Sequence, residues 1–86
     1  MNVRFHKTFD KQYKKLQSAD KQRVSERMKL FAREPFHPIL NNLPLKGKYT
    51  GFRSISMTGD LRAVYKLIAE GTAYFVDVDT HSNLYR

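Results

Sequence analysis

The side chains best suited to chemistry in this 86-residue sequence lie in its second half. His81 follows an apolar run, and imidazole is the side chain that most readily gives or takes a proton at neutral pH. Arg62 lies inside another apolar run, where a guanidinium is costly to bury unless it is paired or used. A guanidinium can hold a phosphate through two parallel hydrogen bonds and stabilise the charge that develops on it. The two residues together indicate acid–base chemistry on a phosphate group.

Each of these two residues also has a purely structural interpretation. His81 could be a turn residue whose ring hydrogen-bonds to the backbone. Arg62 could form a salt bridge with Asp60 or Asp77. The sequence alone leaves both alternatives open.

Further cations and aromatic residues accompany this pair. Lys46 and Lys48 could contact an RNA backbone, or they could protect an exposed sheet edge against aggregation. Tyr85 could stack on a base, donate its hydroxyl group or anchor the chain terminus in the core. Arg53 shares a strand face with Ile55, which favours a structural role over a catalytic one.

The sequence predicts neither a metal site nor a cofactor. It contains no Cys, and its remaining histidines, His6 and His37, are too scattered to resemble a ligand set. RNA can be cleaved without a metal, because its own 2′-hydroxyl can attack the adjacent phosphate once a base removes the proton. His81, Arg62 and the lysines include the groups that such a reaction needs.

The composition favours a polyanionic partner. The formal net charge is +8, from 16 Lys and Arg against 8 Asp and Glu, which is typical of a surface that binds nucleic acid or an acidic protein. A solubility surface or contact with ribosomal RNA remains an alternative. The chain has no apolar run long enough for a membrane span and no signal-peptide core, so we expect one cytoplasmic domain over residues 1–86.

The first half of the chain predicts a short strand and two helices. Residues 2–6 alternate weakly between apolar and polar side chains, which indicates a strand with one wet face. Thr8 is the expected cap of the first helix, while Ser18 or Asp20 starts the second and Pro35 ends it. Apolar residues recur at helical spacing in two stripes, Phe9, Tyr13 and Leu16 and then Val24, Met28 and Phe31. Helices this short are marginal alone, so we expect them to pack on a sheet.

The second half predicts that sheet. Its β-type runs cover residues 46–50, 52–57, 61–68 and 73–79. Turn signals separate the last three runs, which predicts an antiparallel meander. The expected fold is therefore α+β, with two N-terminal helices packed on a four-stranded, mainly antiparallel sheet beside a short N-terminal strand.

Period-two alternation predicts which side chains face the helices. Arg62 and Lys66 should lie on the opposite side of the sheet, which we term the open face. The expected helix-facing residues of the same run are Leu61, Ala63, Tyr65 and Leu67. In the last run, strict alternation sets Tyr74, Val76 and Val78 against Ala73, Phe75 and Asp77.

Two stretches carry a more specific pattern. Residues 59–65 read Gly-Asp-x-Arg-x-x-Tyr, and residues 80–85 read Thr-His-Ser-x-Leu-Tyr. Together with residues 45–49 and 51–55 they resemble the RelE/ParE toxin superfamily, and most closely its YafQ-like branch of mRNA interferases. The resemblance implies a RelE-like fold and a toxin of a type II toxin–antitoxin pair. Such toxins cut mRNA at the ribosome and are neutralised by an acidic antitoxin encoded nearby.

The resemblance also assigns roles by position. His81 matches the acid–base His of the branch, and Arg62 matches the Arg that holds the scissile phosphate. Tyr85 matches the terminal aromatic residue that stacks or assists, and Asp60 matches the Asp at the start of the central strand. Apart from the resemblance, the cations Lys46, Lys48, Arg53 and Lys66 are the expected RNA contacts.

The sequence departs from the YafQ-like pattern at several positions. Leu43 stands where the pattern has a His, and Ser54 and Ser56 stand where it can have Asp and His. Leu61 replaces a frequent Trp, and Asp79 replaces a Gly. These departures keep two alternatives open: a ParE-like inhibitor of a protein target such as gyrase, and a degenerate toxin that only binds its antitoxin.

Overall fold

The computed structural model describes residues 1–84 and shows the expected α+β class. Two 3-10 turns, Pro38–Leu40 and Gly47–Tyr49, supplement the main elements. In chain order the main helices and strands are β1 (Asn2–Phe5), α1 (Lys7–Lys14), α2 (Ser18–Arg33), β2 (Leu43–Pro44), β3 (Arg53–Ser56), β4 (Leu61–Ala69), β5 (Thr72–Thr80) and α3 (His81–Leu84).

The sheet has five strands in the order β1-β5-β4-β3-β2. Strands β3, β4 and β5 pair antiparallel through short turns, so the predicted meander is confirmed. Strand β1 joins the other side of β5 in parallel, with Asn2 opposite Thr72. The longest two strands, β4 and β5, therefore lie inside the sheet and carry most of the candidate site.

The predicted strand over residues 46–50 is wrong. This stretch forms the 3-10 turn Gly47–Tyr49, and the strand that pairs with β3 is Leu43–Pro44 instead. Gly47 has a φ of 65° and Gly51 has a φ of 92°, values in the left-handed region that an extended strand does not use. The alternating Lys and apolar residues of this stretch therefore imitate the period of a strand without forming one.

Histidine, not threonine, caps the first helix. The His6 side chain accepts a hydrogen bond from the Thr8 backbone N–H at 3.0 Å, so the predicted Thr8 cap is wrong. His37 caps the first 3-10 turn in the same way, with its Nδ1 accepting from the Ile39 N–H at 3.1 Å. Both histidines thus have structural roles, because each satisfies a backbone donor at the start of a helix or 3-10 turn.

The core lies between the helices and one face of the sheet. Phe31 of α2 is completely buried and its ring packs against Tyr65 and Phe75, with centroid separations of 4.9 and 5.2 Å. Leu67 was expected on this face, but it is 58% exposed because the end of β4 is exposed on both sides. The remaining buried residues of the cluster are Phe9, Val24, Met28, Leu40, Ile55, Met57, Leu61, Ala63, Ala73 and Val78.

Replacement of Phe31 by Ala should destabilise the fold by about 3–5 kcal/mol, because it leaves a cavity between α2 and the sheet. Equilibrium urea unfolding measures this change. Phe36→Ala is the matched control, since Phe36 is 65% exposed and contacts Arg53 only through a surface cation–π interaction. The control should lose no more than about 1 kcal/mol. Equal losses in the two variants would contradict this description of the core.

A β-bulge in β5 changes which residues face the helices. Val64 pairs with Asp77 while Tyr65 pairs with Phe75, so Val76 has no opposite residue. Phe75 and Val78 are consequently both buried in the core, and the strict alternation predicted through this strand is wrong beyond Val76. The bulge turns Asp77 to the open face.

No helix within residues 1–84 has the length and apolar character to cross a membrane.

Candidate functional site

Arg62 lies on the open face, as predicted, and its guanidinium group is held by neutral oxygens. Nε donates to the Ser54 hydroxyl at 3.0 Å, and Nη2 donates to the backbone carbonyls of Ser54 and Asn41 at 3.1 and 2.8 Å. Arg62 forms no salt bridge with any residue in 1–84, so the alternative of a pair with Asp60 or Asp77 is wrong. The half-buried guanidinium is therefore held by neutral acceptors, and no carboxylate within residues 1–84 pairs with it in place of an anionic ligand.

His81 lies at the same end of the sheet as Arg62. Leu61 and Thr80 form the last pair of β4 and β5, and Arg62 pairs with Asp79 next to it. Just beyond that last pair, the His81 backbone N–H donates to the carbonyl of Asp60 at 3.1 Å. His81 itself is exposed. The sheet therefore brings the backbones of Arg62, His81 and Asp60 to one end, although these residues belong to two separate stretches of the sequence.

The turn that carries His81 is fixed by its neighbours. The Thr80 hydroxyl accepts from the Asn83 N–H at 3.2 Å, which caps the short helix α3. The Asp79 carboxylate accepts from the Thr80 N–H at 2.8 Å and from the Asn83 side chain at 3.1 Å. On the other strand, the Thr58 hydroxyl accepts from the Asp60 N–H at 3.1 Å. Both strand ends are thus held by side-chain hydrogen bonds.

Two of the predicted lysines meet an aromatic pair on the open face. Lys48 Nζ lies 5.3 Å from the ring centroid of Tyr49, and Lys66 Nζ lies 5.3 Å from that of Phe52. The two rings are 6.0 Å apart at an interplanar angle of 73°. Lys46 is exposed at the start of the same loop. Sequence reasoning missed the ring pair, although the two aromatic residues so close to Lys48 were a usable signal.

Asp77 links this loop to the helical layer. Its Oδ2 accepts from the Tyr49 hydroxyl at 3.1 Å, and its Oδ1 accepts from the Gln12 side chain of α1. The side-chain amide oxygen of Gln12 in turn accepts from the Val78 N–H at 3.0 Å. Neither Asp77 nor Gln12 was identified as a site residue from the sequence, since no local pattern connects residues so far apart in the chain.

Arg53 is separated from the other candidate cations. It shares its strand face with the fully buried Ile55, so it points to the helix side of the sheet, away from Arg62. Its Nε donates to the Asn42 side chain at 2.7 Å, and its guanidinium lies 5.2 Å from the Phe36 ring centroid. The structure therefore does not bring Arg53 to the open-face site and gives it a packing role.

The family of the chain follows from comparison with known proteins. Residues 1–86 match the family model described as "Bacterial toxin of type II toxin-antitoxin system, YafQ". The chain belongs to this family. No curated protein sequence matches the chain significantly.

Solved structures share the YafQ fold at low sequence identity. The crystal structure of YafQ from E. coli is 21% identical, with a TM-score of 0.81 over 99% of this chain and 98% of that one. The E. coli DinJ–YafQ toxin–antitoxin complex is 22% identical, with a TM-score of 0.78 over 99% and 97%. The RelBE2 toxin–antitoxin complex from Mycobacterium tuberculosis is 26% identical, with a TM-score of 0.77 over 94% and 91%.

The serines that depart from the YafQ-like pattern have structural partners in this YafQ-family toxin. Ser54 is completely buried and accepts from Arg62, while the Ser56 hydroxyl donates to the carbonyl of Thr58 at 3.1 Å. They therefore position Arg62 and the β3–β4 turn.

Tyr85 lies outside the described residues. Within residues 1–84 no group of His, Asp and Glu side chains is arranged to hold a metal ion.

Proposed function

We propose that this YafQ-family toxin is a ribosome-dependent endoribonuclease that cuts mRNA and so inhibits translation. The observation that carries the proposal is the placement of Arg62 beside the strand end that holds His81. Arg62 is fixed on the open face by neutral acceptors, so its charge is available to a phosphate. His81 is exposed, and its backbone lies at the end of β5 next to the residue pair that contains Arg62.

The proposed reaction is a transesterification within the RNA. The 2′-oxygen forms a bond to the adjacent phosphorus, and the bond from phosphorus to the 5′-oxygen of the next nucleotide breaks. His81 acts as the base that takes the 2′-hydroxyl proton or as the acid that protonates the leaving 5′-oxygen, and solvent water is the partner in the other proton transfer. Arg62 stabilises the negative charge that develops on the phosphate oxygens. Asp60 holds the His81 backbone, and Tyr85 is the proposed stacking group.

The lysines of the open face would hold the rest of the RNA strand. Lys48 and Lys66 lie on the aromatic pair, and Lys46 is exposed on the same loop. Contacts of this kind with phosphates bind RNA with little regard to sequence and weaken as salt displaces them. The net charge of +8 supports the same assignment.

A reconstituted translation reaction tests this function through its products. Transesterification should leave a 2′,3′-cyclic phosphate on the upstream fragment and a 5′-hydroxyl on the downstream one. An mRNA with a 2′-deoxynucleotide at the cut position is the matched control and should stay intact, because it lacks the attacking oxygen. Intact natural mRNA together with loss of gyrase supercoiling would contradict the proposal and favour a ParE-like inhibitor.

We further propose that an acidic antitoxin neutralises the toxin in the cytoplasm. Two of the structural relatives are toxin–antitoxin complexes, DinJ–YafQ and RelBE2. The strongly positive charge of this chain would attract an acidic partner. Coexpression of the adjacent acidic reading frame should restore growth, and the complex should dissociate more readily as salt is added.

A further inference from the structure

The loop between β2 and β3, residues 45–52, crosses the open face of the sheet. We term it the crossing loop. The Leu45 N–H donates to the carbonyl of Phe52 at 2.9 Å, which closes the base of the loop. From there Tyr49 reaches Asp77 on β5, and β4 lies between β5 and β3 in the sheet order. The Tyr49 side chain thus reaches from this loop across β4 to β5.

Asp77 fixes the far side of this loop. Both of its carboxylate oxygens accept hydrogen bonds, one from Tyr49 and one from Gln12. The Gln12 side chain also accepts a hydrogen bond from the Val78 N–H. Gln12 of α1 therefore fixes the position of Asp77, and Asp77 fixes the position of Tyr49. The bulge at Val76 makes this possible, because it turns Asp77 to the face where the loop lies.

The anchored tyrosine places two cations. Lys48 lies over the Tyr49 ring, and Tyr49 packs against Phe52, which lies under Lys66. Lysine side chains on a surface otherwise sample many rotamers, and each loses that freedom when it binds a ligand. The ring pair therefore restricts Lys48 and Lys66 before any ligand arrives.

We propose that Asp77 is a positioning residue that preorganises Lys48 and Lys66 as a second phosphate-contact site for the RNA. This inference rests on the proposed function. Lys66 follows Arg62 by four positions on β4, which places the second site roughly 13 Å from the first at about 3.3 Å per residue. The site would bind the RNA strand beyond the scissile phosphate and would add affinity without taking part in the reaction.

Binding of a fluorescent single-stranded RNA, followed by anisotropy, tests the proposal. The measurements use the full chain with His81→Gln, so that the RNA stays intact. Tyr49→Phe removes one hydroxyl group and should weaken RNA binding about three- to tenfold through lost preorganisation. Tyr74→Phe is the matched control, since the Tyr74 hydroxyl makes no hydrogen bond within residues 1–84, and it should bind as tightly as the parent.

The double variant shows whether the two residues act through one another. Asp77→Ala should weaken binding as much as Tyr49→Phe, and the combination should lose no more than either alone. Asp77→Asn should recover most of the affinity, because its amide can accept from Gln12 and donate to the Tyr49 oxygen. Removal of a cation itself acts differently: Lys48→Gln and Lys66→Gln should each reduce the salt dependence by about 0.7 in log–log slope, whereas Tyr49→Phe should leave that slope unchanged.

The outcomes separate this inference from the proposed function. RNA binding by Tyr49→Phe that equals the parent, or additive losses in the double variant, would overturn the positioning role of Asp77 alone. Failure of the wild-type chain to cut mRNA in the reconstituted translation reaction would overturn the proposed function and this inference with it. In the absence of RNA, Tyr49→Phe should show faster amide hydrogen exchange at Thr50 and Phe52. Tyr74→Phe should leave the exchange of both amides unchanged.

Discussion

Replacement of His81 by Gln should lower the rate of mRNA cleavage by about 10²–10⁴-fold and abolish growth arrest. Gln fills a similar volume and still forms hydrogen bonds, but it cannot exchange a proton at neutral pH. His81 is exposed, and the hydrogen bond from its N–H to Asp60 belongs to the backbone, so the fold should remain intact. Single-turnover cleavage in the reconstituted reaction and colony counts after induction measure the two effects.

His37→Asn is the matched control for this variant. His37 caps a 3-10 turn through its Nδ1, and Asn offers an oxygen for the same bond from the Ile39 N–H. The control should therefore cleave and arrest growth as the wild type does. Undiminished cleavage by His81→Gln would remove His81 from the proposed reaction. Growth arrest with no RNA cleavage in either protein would point to a protein target instead.

Replacement of Arg62 by Lys should reduce cleavage by about 10²–10³-fold although the positive charge is retained. The guanidinium makes its contacts with Ser54 and Asn41 through a planar fork, and a single ammonium group cannot form them while it also binds a phosphate. The loss should appear in the cleavage step, because the charge that Arg62 stabilises grows as the new bond forms.

Arg33→Lys controls for the loss of a guanidinium elsewhere, since Arg33 is exposed at the end of α2. It should cleave normally. Urea unfolding of Arg62→Lys separates catalysis from folding, because cleavage should fall far more than the folded fraction does. A normal cleavage rate in Arg62→Lys, or an equal loss in Arg33→Lys, would show that the fork geometry of Arg62 has no part in the reaction.

The parts of this fold that the sequence predicted are those with local signals. Glycine and polar turns between β3, β4 and β5 predicted the meander, and alternation along β4 correctly set Arg62 and Lys66 on the open face. The stretch 46–50 failed because its polar–apolar alternation has the period of a strand. The positive φ angles of Gly47 and Gly51, which bend the chain into a loop, depend on partners that the local sequence does not show.

The candidate site was also predicted only in part from the sequence. His81 and Arg62 were predicted by residue type and by resemblance, and the sheet brings their backbones to one end. The bulge at Val76 could not be predicted, because it appears only when β5 is paired with β4. Without it Asp77 could not be assigned to the open face, and its hydrogen bond with Tyr49 had no signal in the sequence.

The parallel pairing of β1 with β5 has a consequence for how this toxin is made. Residues 2–5 are synthesised well before residues 72–75, with which they pair. Until those partners emerge, the nascent chain can form helices but cannot complete its sheet, since non-local strand pairing waits for distant segments. The strand end that holds His81 is synthesised after those partners. The candidate site therefore cannot assemble until β5 has been synthesised and paired with the earlier strands.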